Sequence, residues 1–228
     1  ARHLADRHRL VARPYEQLNG ELEARLAEVW PELQLLVGDG VFWHLHLLAQ
    51  FGEPRAVGAS KAEVSELLVR VAHGALKPER IEEVLRSAEQ SLGVPVEAVD
   101  REMLKMIAAQ MLVLRTGMQA AKKEAAALVA SASAPESLRR VATTFGAMTA
   151  CVIFGDVGDP SKYGSAAAFE KALGLNLKIR SSGEQAGQLH ITKRGPGRAR
   201  KYLYLAALRA IHQHAPVPAH LAIEMTHE

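Results

Sequence analysis

Apolar residues recur every three to four positions through most of the first 130 residues, and that period predicts helices. Leu18, Leu22, Leu26 and Val29 form the stripe of a helix with Pro14 at its first turn, and Pro31 kinks or restarts it. Gly38-Asp39-Gly40 reads as a turn, and a short apolar helix from Val41 to Phe51 ends at Gly52-Glu53-Pro54. Ser60-Lys61-Ala62-Glu63 has the form of a capping box opening a helix that stops near Gly74. A further helix is expected from Pro78 to Leu92, closed by Gly93.

From about Val99 to Ser131 the pattern changes. Leu104, Ile107, Met111, Leu114, Met118, Ala121, Ala125 and Leu128 alternate steps of three and four, a heptad seam. Two duties fit it: a coiled coil that joins copies of the chain through Leu104, Ile107, Met111, Leu114 and Met118, or a long helix packed on its own neighbours. Ser131-Ala-Ser-Ala-Pro135 then reads as a linker and the best domain boundary. The expected organisation is a helical region over 1–98, the heptad helix over 99–131 and a C-terminal domain over 135–228.

In that last domain a helix from Pro135 to Val141, a turn around Thr144-Phe145-Gly146 and a helix from Met148 to Phe154 are expected. Gly155 to Pro160 reads as a loop, and Ser165 caps a helix running to Gly174. Alternation of Leu175, Leu177 and Ile179, then of Leu189 and Ile191, predicts two strands around a loop from Ser182 to Gly187. Gly195-Pro196-Gly197 starts a helix through Tyr202, Leu205, Leu208 and Ile211, and Pro216 and Pro218 break the pattern beyond it. The fold class is mostly α with one short β-hairpin.

Composition adds bounds. With 228 residues, 48% of them hydrophobic and 5% aromatic, the chain buries a sizeable core rich in Ala and Leu. Its one cysteine, Cys151, excludes an intramolecular disulfide and a thiolate zinc cluster and fits a reducing cytoplasm. No apolar run approaches the roughly 20 residues of a membrane span, and residues 1 to 20 have no signal-peptide pattern, so a soluble cytoplasmic protein with no membrane partner is expected. Ala1 fits either removal of an initiator Met or a chain that continues upstream.

Charge is distributed unevenly. Ser161 to Ala210 holds ten Lys and Arg against two acids, a local balance of +8 within a total of +3. Such a patch points to a polyanionic partner. Lys193, Arg194, Arg198, Arg200 and Lys201 bracket the glycines of Gly195-Pro196-Gly197 at a helix start, where the dipole also favours an anion, and Lys178 and Arg180 precede the serine pair. Tyr202 and Tyr204 can stack on bases or pack in the core. Asp156 and Asp159 fit either a magnesium site or turn and cap duties, the commoner use. His44 and His46, and His212 and His214, are two apart and diverge on a helix, so they make a poor zinc site.

FGAMTACVIFGDVGDPSKY from Phe145 to Tyr163, Ser181-Ser182-Gly183, and ITKRGPGRARKYLYLAALR from Ile191 to Arg209 carry a family resemblance. In order and approximate spacing they resemble the C-terminal transposase domain of the insertion-sequence-one-hundred-and-ten family, the DEDD recombinases of bacterial mobile elements, some of them guided by a bridge RNA. A weaker likeness extends upstream through the helical part, where residues 1 to 35 already resemble the family's helical middle, so the resemblance touches nearly the whole chain and is specific after about Leu138. The resemblance implies DNA as partner, a guide RNA in relatives that use one, and a helix-hairpin-helix element whose glycines offer amides to phosphate. Here Gly146 keeps one such glycine and Thr144 replaces the other. It also implies that Ser182, with Ser181 as the alternative, attacks DNA phosphate to form a phosphoserine. Magnesium in that family is held by an acidic tetrad in a ribonuclease-H-like domain, and none of the 25 acids falls in the tetrad motifs, so no cofactor is expected in this chain itself. The expected function is therefore a C-terminal, DNA-binding portion of a transposase that supplies a serine nucleophile. Two alternatives are a remnant that only binds or regulates, and a helical scaffold whose basic face binds protein acids.

Overall fold

Pro and Gly positions set most helix ends in the computed structural model, which describes residues 1–37, 42–182 and 185–212, with the backbone alone for 179–182, 185–188 and 212. Eleven α-helices and one antiparallel pair of strands make up the regular structure of the described residues, as the periodicity implies. They form two compact units, one of residues 10–118 and one of residues 1–9 with 119–228. The division falls inside two long helices, α1 (Arg2–Val29) and α7 (Ala98–Ala130), and the turn at 131–135 lies within the second unit. No helix among the described residues is long and apolar enough to cross a membrane.

In the first unit, α1, α2 (Pro31–Leu36), α3 (Trp43–Phe51), α4 (Pro54–Ala59), α5 (Lys61–Ala72), α6 (Pro78–Glu89) and the first part of α7 surround one core. Trp30, Leu33, Trp43, Leu45, Leu47, Val64, Leu68 and Met111 are fully buried there. Trp30 keeps its indole N–H satisfied by donating to Ser87 Oγ at 3.2 Å. The Gly38-Asp39-Gly40 turn lies outside the described residues.

Four expectations change. Helix α1 starts at Arg2 and runs through Pro14 rather than starting there. An interior proline removes one backbone bond at a cost of about 3 kcal/mol. Burial of Ala5 upstream, and of Leu22 and Leu26 downstream, holds the helix on both sides of it. Helix α4 was not expected, because six residues are too few to show a period, although Pro54 occupies its first turn and Val57 is buried. Ser60 precedes α5 without a side-chain cap, since it also ends α4: its amide donates to the Val57 carbonyl at 3.2 Å and its carbonyl accepts from the Val64 amide at 3.0 Å. Finally, α6 stops at Glu89 because Glu32 pulls the next residues aside: its carboxylate accepts from the Leu92 amide and from Ser91 Oγ, each at 2.9 Å.

The heptad seam of α7 is the larger correction. Leu104, Ile107 and Met111 are 1%, 3% and 0% exposed within the chain's own core, Ala121 and Ala125 are buried in the other unit, and Leu114 and Met118 are half-buried. The periodicity was right, but the stripe faces neighbouring helices of the same chain and leaves little for a second copy. Leu104→Ala is thus expected to cost about 2–5 kcal/mol. Urea melts should show that loss unchanged when the protein is diluted, whereas a dimer seam would make it concentration-dependent.

Candidate nucleic-acid interface

The second unit is organised around its most apolar helix. α9 (Ala147–Asp156) is hydrophobic on all sides, and Thr149, Ala150, Cys151, Val152 and Ile153 are buried. The start of α1, the end of α7, α8 (Glu136–Phe145), α10 (Ala166–Leu173) and α11 (Gly197–His212) complete the unit, with Leu138, Leu173 and Ala199 in its apolar clusters. Burial raises the Cys151 thiol above its ordinary range, so it packs as an inert apolar group.

α8 extends to Phe145, further than expected, and the hairpin turn between α8 and α9 contracts to Gly146 at φ +88. Thr144 is helical, its hydroxyl donating to the Arg140 carbonyl at 3.2 Å. The Gly146 amide donates to the Ala142 carbonyl at 2.8 Å, so this glycine closes the helix and its N–H is already committed.

Asp156 and Asp159 have structural duties. Asp159 caps a 3-10 turn (Pro160–Lys162), accepting from the Ser161 amide at 2.9 Å, from Ser161 Oγ at 2.8 Å and from Ser137 Oγ at 3.0 Å. Asp156 is the last residue of α9 rather than part of a loop. It takes a two-pronged contact from Arg198, Nε to Oδ2 at 2.9 Å and Nη2 to Oδ1, while Arg198 Nη1 reaches Asp6 Oδ1 at 2.7 Å. Arg198, expected among the phosphate contacts, therefore bridges α1, α9 and α11 with two carboxylates against its charge. Both aspartates are thus occupied, and no group of three His, Cys, Asp or Glu that could hold a metal is found among the described residues.

As read from the sequence, Ser165 Oγ caps α10 by accepting from the Ala168 amide, and Gly174 ends it in the left-handed conformation. The following bonds are those of a Schellman close, Leu175 amide to Glu170 carbonyl and Gly174 amide to Lys171 carbonyl. Strands β1 (Leu177–Ser182) and β2 (Gln185–Ile191) then pair antiparallel, Leu177 with Ile191 and Ile179 with Leu189. The strands run further than expected. Ser182 pairs with Gln185, and Ala186 and Gly187 stand opposite Ser181 as a bulge, so Gly187 bends a strand instead of forming the loop. Leu177 and Leu189 are each 60% exposed, whereas Leu175, the first residue of the alternation, packs against the unit's core. Gly183 lies outside the described residues, as do the side chains of Arg180, Ser181 and Ser182; Lys178, on β1, is half-buried.

The hairpin's base is tightly held. The Thr192 amide and hydroxyl bond to Asn176, at 2.9 and 2.7 Å, and the Lys193 amide donates to the Gly174 carbonyl at 3.0 Å. Arg200 Nη1 donates to the carbonyls of Leu173, at 2.9 Å, and Gly195, at 2.6 Å, joining the end of α10 to the start of α11. Arg200 thus acts first as a brace, although neutral carbonyls leave its charge uncancelled. Lys193, held at φ +55, Arg194 and Lys201 are exposed around this base. Tyr202 packs in the unit with its hydroxyl 2.6 Å from His8 Nδ1, whereas Tyr204 is 64% exposed.

Sequence reasoning passed over two cations. Arg209 donates weakly to the Phe145 carbonyl at 3.4 Å, placing the end of α8 beside α11, and Arg140 on α8 has a side chain 80% exposed. Arg140 lies outside the basic segment in sequence, so only the packing of α8 on α11 brings it to the same unit. No curated protein matches the chain. The segment from residue 136 to residue 221, which spans α8 to α11 and the hairpin between them, matches the model of the Transposase IS116/IS110/IS902 family, and this supports a transposase-related role.

Proposed function

We propose that this chain is a DNA-binding portion of a transposase, in which exposed cations at the base of the β-hairpin hold the phosphate backbone and Ser182 is the nucleophile. The observation that carries the reading is the braced junction of α10, the hairpin and α11, which presents Lys193, Arg194 and Lys201 within the family-matched segment. Backbone bonds on both sides preorganise this junction, so ordering it on DNA costs little. A guide RNA, which the resemblance brings with it, would meet the same cations through the same phosphate chemistry.

In the proposed reaction the Ser182 oxygen attacks a DNA phosphorus. The new O–P bond forms as the bond from phosphorus to one deoxyribose oxygen breaks; the serine proton passes to a base and the departing oxygen takes up a proton. Lys178 and Arg180 precede Ser182 by four and two positions along β1. Two cations beside a serine favour the charge that builds up on a five-coordinate phosphorus.

Salt tests the binding half. Lys193→Ala and Arg194→Ala should each weaken DNA binding and lower the slope of log affinity against log salt by about 1. Affinity that ignores salt would favour the scaffold that binds protein acids. Ser182→Ala tests the chemistry, in a strand-cleavage assay where an intact relative supplies the acidic domain in trans. Cleavage should vanish with DNA affinity intact. Loss in Ser181→Ala alone would move the nucleophile by one residue, and no loss in either variant would leave a chain that only binds.

A further inference from the structure

Tyr204 is the tyrosine that the core does not take. Of the four in the chain, Tyr15 is half-buried, Tyr163 packs edge-on against Phe169 and donates to the Val157 carbonyl at 2.7 Å, and Tyr202 sits against His8. Tyr204 is 64% exposed and makes no ring contact or hydrogen bond among the described residues. Its neighbours on α11 continue the exposure. Lys201, Tyr204, Leu208 and Ile211 follow at steps of three and four and share one face of the helix, with Leu205 along its edge. Leu205 and Ile211 are 42% and 38% exposed. On the opposite side of α11, Ala199 and Ala206 are buried and Tyr202 packs against the unit's apolar cluster.

An exposed phenol ring flanked by aliphatic side chains is a platform for another flat surface, and the charge around it selects which. Lys201 lies one turn before Tyr204, about 4.5 Å along the helix axis. The helix itself begins just after the exposed Lys193 and Arg194. No Asp or Glu occurs from Gln185 to His212, so the hairpin's second strand and α11 carry only positive charge. A polymer in which anionic groups alternate with flat rings matches both halves of this surface, phosphate at the start of α11 and a nucleobase on the phenol. In duplex DNA the nucleobase faces are already covered by one another, and a side chain reaches them only when a nucleotide leaves the stack. A ring on a rigid helix therefore responds to unpaired nucleobases, whereas the cations respond to any phosphate chain.

We propose that Tyr204 stacks on an unpaired nucleobase of the DNA whose backbone Lys193 and Arg194 hold, so that this unit reads single-stranded DNA through its rings as well as its phosphates. The partner, though not the exposed face, rests on the proposed DNA binding. The test measures binding of the full chain to three labelled probes by fluorescence anisotropy: a single-stranded oligothymidylate, an abasic strand of the same length, and a duplex. Tyr204→Ala, at an exposed position that leaves the core intact, should weaken the oligothymidylate about tenfold and the other two probes by less than about twofold. Its salt slope should match that of the wild type, since no charge is removed. Tyr204→Phe should bind the oligothymidylate as the wild type does, because the ring stacks without its hydroxyl. The Lys193→Ala, Arg194→Ala double variant should weaken all three probes. Loss of binding in that variant but none in Tyr204→Ala would leave the phosphate contacts standing and overturn the stacking. A wild-type chain that binds none of the probes would overturn the DNA-binding function and this inference with it. Equal losses on all three probes in Tyr204→Ala, or a Tyr204→Phe as weak as the alanine variant, would overturn the stacking. So would a wild-type oligomer that dissociates in Tyr204→Ala with oligothymidylate affinity unchanged, which would assign the face to a second copy.

Discussion

Arg198→Ala is expected to lower the stability of the second unit by about 3 kcal/mol, because it strands a carboxylate, Asp156, to which no other described residue bonds. The side chains of Arg198 and Asp156 are 17% and 11% exposed. Without the guanidinium, Asp156 is a partly buried anion at the C-terminal end of α9, where the helix dipole is already negative. Arg198→Lys should recover part of the loss, since an ammonium restores the charge but not the two-pronged contact.

Acid should expose the same linkage. The Arg198 hydrogen bond holds the Asp6 carboxyl below its ordinary range, against a smaller opposing effect of burial. A carboxyl whose folded value is depressed contributes stability that is present above its unfolded value, near 4, and lost as pH falls through the folded one. The gap between wild type and Arg198→Ala in urea melts should therefore be steady from neutral pH down to about 5 and narrow below about 4. A variant with an unchanged midpoint at neutral pH would show that Arg198 does not pin α1 and α9 to α11.

Gly195→Ala is expected to cost at least about 3 kcal/mol and to loosen the base of the hairpin. A β-carbon at Gly195 would lie inside contact distance of the Ala172 carbonyl oxygen and of Leu173 C and O, all backbone atoms of the end of α10. Gly174 faces the same crowding from the other side. At φ +71, a β-carbon there would meet the amides of Gly195 and Arg194. Flexible side chains can give way to an added methyl, but two backbones already in contact can only separate. Amide exchange at Thr192 and Lys193, whose N–H groups cross this junction, should speed up more than exchange in α9. Gly164→Ala is the control, since nothing lies within 4 Å of a β-carbon there, and it should change little. If Gly195→Ala kept the wild-type exchange rates, the braced junction would not be what positions Lys193 and Arg194.

Much of the unit was legible from local chemistry. Ser165 and Gly174 bracket α10 because a side-chain oxygen and a left-handed glycine settle helix ends within one turn. The two strands followed from alternation, but the pairing of Leu177 with Ile191 came only with the structure. Misreadings came where a local signal has two uses. Gly187 marks a turn or a bulge with equal ease, and Ser60 looks like a cap whether or not its hydroxyl is needed.

The sequence by itself determined the mostly helical class, a long helix read over 99–131, the hairpin and the concentration of positive charge after residue 161, because period, capping and charge are properties of neighbouring residues. Tertiary structure alone decided what each surface faces. It turned the heptad seam of α7 into the chain's own cores and gave Arg198 to Asp156 and Asp6, which lie 42 and 192 positions away. It left Lys193, Arg194 and Lys201 exposed beside a braced loop. A residue's chemistry is written in its side chain, but whether that chemistry is available depends on partners that only folding brings within a few ångströms.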